Sequence, residues 1–285
     1  RGTVLIRDGL IEQVGPNVSI PPDAWVIEAQ GLTVYPGLID ALSTLGIAEA
    51  ATPAAAPTRS SRTPGPPSTP APSETPAQPA TPAPTGPPAR GPEDRPSNTS
   101  WVRAADLVSP ADRRLEAARS AGFTTAMTFP QRGIFAGQGA VVNLAGERGG
   151  QMVVSAPAGL YLSLSGGGFS SFPGSLFGVL AYIRQIFLDA DHYKQARDAY
   201  AARPVGAKRP AYDRALEGVL EAPRLLLPAT RAVEVDRMLR FAGELKRPVV
   251  LYGAHEAYRA ADLLKKSGTP VLVSLRWPER SREAD

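Results

Sequence analysis

Apolar positions fall into short runs separated by longer amphipathic stretches, and the two periods alternate along most of the chain. Residues 3–7 and 25–28 read as short β runs, and Asp8-Gly9 is a strong hairpin turn signal, so the start of the chain predicts a small antiparallel unit. Strand-like runs follow at 34–40, 123–129, 140–145, 158–164, 224–228, 248–252 and 270–275. Ser109-Pro110 with Asp112 opens a helix that carries apolar residues through Leu115 and Ala118 and stops at Gly122. Helical spacing returns from Leu180 through Ile183 and Phe187, again across 231–246, and in "HEAYRAADLLKK" from His255. Parallel strands need crossovers of about a dozen residues, and helices of this length supply them, so the pattern predicts an α/β sheet or barrel. Seven strand-like runs are one short of a (β/α)₈ barrel, and the eighth would follow Asp285.

Residues 52–98 break the alternation. They hold about half of the chain's 30 prolines among Ala, Thr, Ser and Gly, with almost no large apolar residue. Such a segment buries too little surface to offset its ordering entropy and is expected to be a disordered insertion. The resulting division is 1–35 as part of a small β-sandwich, 36–51 as the first barrel strand and its loop, 52–98 as the insertion, and 99–285 as the continuation of the barrel. The abrupt openings and stops at Arg1 and "RWPERSREAD" read as the ends of a fragment, and export is open if a signal peptide precedes Arg1.

The chain has 285 residues, 43% of them hydrophobic, enough for one large core with a small partner unit. A formal charge of +4 with interspersed signs gives no basic stripe and argues against nucleic acid as a partner. The absence of cysteine removes disulfides, thiolate metal sites and cysteine nucleophiles. No apolar run reaches the roughly 18–20 residues that span a bilayer, so no membrane partner is expected. "SLSGGGFSSFPG" lacks the Lys-Ser/Thr of a phosphate loop and reads as a mobile loop. No Gly-x-Ser-x-Gly elbow is present either.

"TVLIRDGLIEQVG" followed by "VIEAQGLTVYPGLID" resembles the opening of the amidohydrolase superfamily of metal-dependent hydrolases. "WVRAADLVSPADRRLEAARSAGFTTAMTFPQRGIFAGQGAVVNLAGE" and "GAHEAYRAADLLKKSGTPVLVSL" look like its imidazolonepropionase-like branch, and the resemblance covers nearly all of the chain outside the Pro-rich segment. It implies a TIM-like (β/α)₈ barrel, incomplete at the C-terminus, with a small N-terminal β-sandwich portion. It also implies hydrolysis of a carbon–nitrogen, non-peptide bond by a hydroxide on zinc or another divalent metal. Homo-oligomers are expected by the same analogy.

The resemblance places the first ligands as His-x-His on strand one, at the positions held here by Leu42 and Thr44. Leucine has no donor atom and threonine is a poor neutral ligand for zinc. The strand-four stretch "GLYLSLS" offers no lysine or carboxylate, strand five has no histidine, and the chain holds only His192 and His255. No metal ligand is therefore assigned and no cofactor is predicted from this chain. His192 reads as a solvated helix residue. The catalytic candidates are Asp40, His255 and Glu256, the last two just past a strand end, where His255 either serves a site or starts and packs the next helix. Gln138 and Asn143 lie near a strand mouth and either bind a substrate carbonyl or satisfy backbone. The functional expectation is an amidohydrolase-like hydrolase with a degenerate metal site acting on a small molecule, the alternative being an inactive binding or assembly module of the same fold.

Overall fold

A computed structural model describes residues 2–47, 95–165 and 172–275. Most of the Pro-rich segment, the middle of the glycine-rich stretch and the last ten residues lie outside the described residues. The chain divides at Pro36/Gly37 into two units.

In the first unit β1 (Thr3–Arg7) and β2 (Leu10–Gly15) form an antiparallel hairpin. Its two-residue turn needs positive φ twice, and Asp8 at 53° and Gly9 at 76° supply it with the residue types that tolerate it best. The strand expected at 25–28 does not form: these residues have no regular structure, and Trp25 and Ile27 are exposed. A β run needs a ladder to pair with, and none of the described strands offers one here.

The second unit runs β3 (Leu38–Ser43), α1 (Ala104–Leu107), α2 (Arg114–Ser120), β4 (Phe123–Thr128), β5 (Phe135–Gln138), β6 (Ala140–Asn143), α3 (Gly149–Met152), β7 (Val153–Ser155) and β8 (Leu160–Leu162). It continues through α4 (Leu176–Ala202), α5 (Arg214–Glu221), β9 (Leu225–Ala229), α6 (Ala232–Leu245), β10 (Val249–Gly253), a 3₁₀ turn (Ala257–Ala260), α7 (Ala261–Ser267) and β11 (Val271–Val273). The helix starts are capped from the sequence. Ser175 accepts from Gly178 N at 3.1 Å, and Asp213 accepts from Ala215 N and Leu216 N at 3.0 and 3.2 Å.

The strands form two mixed sheets, in orders β3-β4-β6-β7 and β11-β10-β9-β8-β5. β3/β4 and the β8-β9-β10-β11 series are parallel, whereas β4/β6, β6/β7 and β5/β8 are antiparallel. The expectation of parallel pairing throughout is therefore corrected. The connections from β4 to β8 are too short for parallel crossovers, and β5 and β7, absent from the strand prediction, fill that interval. One residue, Gly139, separates β5 from β6, which belong to different sheets. A Cβ there would stand 2.1 Å from the Phe129 ring, so only glycine lets the chain cross.

Strand alternation sorts the core into layers. Leu225, Leu227 and Ala229 of β9 face outward into the layer with α4 and α6, where Tyr182, Ile183, Ile186, Val235 and Phe241 are buried. Full burial of each such side chain contributes about 2 kcal/mol. On the first sheet, Ala126, Ala140 and Val142 pack with Leu115 of α2 and Met152 of α3. The opposite parity of both sheets meets in a third cluster, built from Phe129, Leu226 and Val250 with Leu42, Met127 and Leu272 against it. Two sheets thus share one apolar inner face.

Both flanks of the Pro-rich segment are fastened. Ile47 bridges Val108, and Asn98 bridges Phe135. Arg95 is ion-paired with Asp213 and lies 3.9 Å from Asp189. Residues 95–98, expected to belong to the disordered segment, are held here by backbone and side-chain bonds. Their contacts reach β5, α4 and the start of α5, which a compositional reading of the preceding prolines does not register.

Candidate functional site

The inner face ends in aromatic side chains where the parallel strands stop. Tyr161 of β8 and Tyr252 of β10 point to the same side as Leu226 and Val250, flanking β9, and their rings stack at 4.9 Å with 28° between planes. Tyr252 donates its hydroxyl to the Leu162 carbonyl at 2.9 Å. Burial pushes both phenols above their ordinary value, and for Tyr252 the neighbouring Tyr161 adds to the rise. Both remain neutral hydrogen-bonding groups at physiological pH.

A cavity of about 880 Å³ opens beside this pair, within the range of small-molecule sites. The strand ends contribute Tyr161, Ser163, Pro228 and Tyr252, α4 contributes Phe177, Leu180 and Arg184, and α6 contributes Met238, Phe241 and several charges. Arg184 pairs with Glu244 at 2.7 Å while its guanidinium lies 4.9 Å from the centre of the Phe241 ring. Arg231 pairs with Glu234 at 2.8 Å. Burial alone would raise the Glu234 carboxyl, but hydrogen bonds from the Thr230 and Arg231 backbone and the Arg231 side chain hold it below the usual carboxylate value.

None of the five residues singled out from sequence lines this cavity. Asp40, on β3, accepts from the Leu42 backbone at 3.1 Å. Gln138, 1% exposed on β5, donates to the carbonyls of Gly218 at 2.5 Å and Ser100 at 3.3 Å, which ties β5 to α5. Asn143 is exposed at the end of β6 opposite Thr125. Glu256 accepts from Ala232 N at 3.1 Å and its own N–H donates to the Thr230 carbonyl at 3.0 Å, bracing the start of α6. His255 follows Ala254, whose φ is 44°, and its Nδ1 is buried with no hydrogen-bond partner among the described residues.

Among the described residues, those at the implied ligand positions do not fit a metal. Leu42 packs into the inner apolar cluster. Thr44 is engaged by Arg114, which donates to its hydroxyl and its carbonyl, both at 2.8 Å. Among the described residues no three His, Cys, Asp or Glu side chains gather closely enough to hold an ion. The tyrosine pair and the arginines of α6 were missed from sequence. The available signal was the spacing in "VDRMLRF", which puts Arg237 and Arg240 three apart on one helix face.

The fold is amidohydrolase-like. It matches the crystal structure of an amidohydrolase from Thermotoga maritima MSB8 with a TM-score of 0.70 and 24% identity, over 95% of this chain and 65% of that one. The chain therefore spans about two-thirds of that protein's length. No family model matches the chain, and no curated protein does. No helix among the described residues is long and apolar enough to cross a membrane.

Proposed function

We propose that this is an amidohydrolase-like protein, by resemblance related to the hydrolases acting on non-peptide carbon–nitrogen bonds, whose metal site is degenerate. Its two sheets form part of an incomplete (β/α)₈ barrel, and its retained capacity is to bind a small molecule at the strand ends. The observation that carries this reading is the placement of Leu42. At the position where the resemblance calls for the first metal-binding histidine, the side chain packs among Phe129, Leu226 and Val250. A ligand cavity nevertheless lies at the ends of the parallel strands, the face on which barrel proteins keep their sites.

A second reading, retained turnover through a rebuilt site, rests on His255. Its Nδ1 is buried and has no hydrogen-bond partner among the described residues, just past β10 and next in sequence to Glu256. The test is metal content of the full-length protein, purified without a polyhistidine tag and dialysed, read by inductively coupled plasma mass spectrometry. Hydrolysis of a panel of cyclic amides, cyclic ureas and N-acyl amines is assayed alongside. Negligible metal and no turnover in the folded protein is the expected result. Stoichiometric metal that is lost in His255→Ala, with chelator-sensitive hydrolysis, replaces the degenerate-site reading by the second one.

A further inference from the structure

We propose that the strand-end cavity takes an organic anion, a single acid group carried on an aromatic or branched apolar body, with Arg237 as its anchor. This rests on the reading of the cavity as a small-molecule site and specifies what enters it.

The charge balance of the lining carries the argument. Four arginines, Arg184, Arg231, Arg237 and Arg240, face two glutamates, Glu234 and Glu244. Both glutamates are already engaged, Glu244 by Arg184 at 2.7 Å and Glu234 by Arg231 at 2.8 Å. Arg240 is held by Asp236 at 2.8 Å, one turn away on α6. Arg237, exposed between them, has no hydrogen-bond or ion-pair partner among the described residues. Its guanidinium thus keeps a full set of donors in a fork that matches a carboxylate or sulfonate. A cationic ligand would meet carboxylates that are already neutralised, and an uncharged ligand would leave this fork unused.

The rest of the lining sets the body of the ligand. Phe177, 87% exposed, and Leu176 stand at the start of α4, and Leu180 of the same helix with Met238 and Phe241 of α6 add to the apolar lining. The stacked pair of Tyr161 and Tyr252 gives a further aromatic surface. A bare phosphate would leave most of an 880 Å³ space and these apolar surfaces uncovered.

The test compares two fluorescent probes on the full chain: anilinonaphthalene sulfonate and phenylnaphthylamine, its uncharged parent. The sulfonate should bind saturably and about 10–100-fold more tightly than the parent, the range of a charge-assisted hydrogen-bonded contact. Arg237→Gln should erase that advantage, Arg237→Lys should keep part of it, and Phe177→Ala should weaken both probes. Positions 177 and 237 are exposed, so the variants retain the fold. If Phe177→Ala weakens both probes but the sulfonate has no advantage, or keeps it in Arg237→Gln, the anion inference is overturned while the small-molecule site stands. If neither substitution alters either probe, the cavity takes no such ligand, and the inference falls together with the reading beneath it.

Discussion

Replacing Arg114 by methionine removes the group that holds the turn after β3. Its guanidinium donates to the Thr44 hydroxyl and carbonyl at 2.8 Å, to the Ile47 carbonyl at 2.7 Å and to Asp112 at 2.8–3.1 Å. Asp112 in turn accepts from Gly46 N at 2.9 Å, so the pair clamps both sides of the turn. The Asp112 side chain is 7% exposed and that of Arg114 is 37% exposed. Removing one member of a buried pair costs about 3–5 kcal/mol. Water reaches the arginine side, so the expected loss is about 2–3 kcal/mol. Urea unfolding should give it as a lower midpoint at unchanged m.

The pH dependence separates this mechanism from a simple packing defect. Burial acts to raise the Asp112 carboxyl, but hydrogen bonds from Arg114 and from the Gly46 backbone hold it below its ordinary 3.8. A depressed folded pKa means a contribution that is complete above the unfolded value and lost as pH falls through the folded one. In Arg114→Met the burial persists without the arginine, so the carboxyl takes up its proton at a higher pH than in the parent. The deficit should be largest at neutral pH and should narrow toward about pH 4. A deficit below about 0.5 kcal/mol, or one that widens on acidification, would refute the argument.

Two further substitutions probe the frame around the site. A Cβ at Gly218 would stand 2.6 Å from backbone atoms of Ser100 and Trp101, so Gly218→Ala should lower stability by about 3 kcal/mol in thermal or urea unfolding, and an unchanged midpoint would contradict the close approach. Tyr252→Phe keeps the ring but removes the bond to the Leu162 carbonyl, for an expected loss of about 1 kcal/mol near neutral pH. Because the Tyr252 phenol is raised, its contribution is complete below the ordinary 10.0 and fades as pH rises above it, so the difference between parent and variant should shrink in alkaline unfolding. A difference independent of pH would remove the buried phenol as its cause.

Much of the second sheet was readable from local pattern. "RLLLPA", "RPVVLYG" and "PVLVSL" are apolar runs between helices, and β9, β10 and β11 form there as parallel neighbours. The Asp8-Gly9 turn carries its hairpin for an equally local reason, two positive φ angles. The strands β5 and β7 escaped because "FAGQ" and "VVS" are short and have no period of their own. Their partners lie beyond intervening turns, and Gly139 sends adjacent strands to different sheets. The tyrosine pair is legible only once register is known, since Tyr161 lies opposite Leu226 and Tyr252 opposite Pro228 across β9. His255, by contrast, follows the end of β10 by two residues, and a histidine next to a glutamate draws attention without any register. The side chains that reach the cavity are mostly ones that sequence reading assigns to core or solvated helix face.

The fastening at Ile47 and Arg95 ties each flank of the Pro-rich segment to the second unit separately. Each anchor is secured within the second unit by its own contacts, Ile47 to Val108 and Arg95 to Asp213, and neither contact passes through residues 48–94. Loss of the Arg95 ion pair would leave the Ile47–Val108 bridge in place, so the two flanks are separate moorings of the second unit rather than two halves of one clasp.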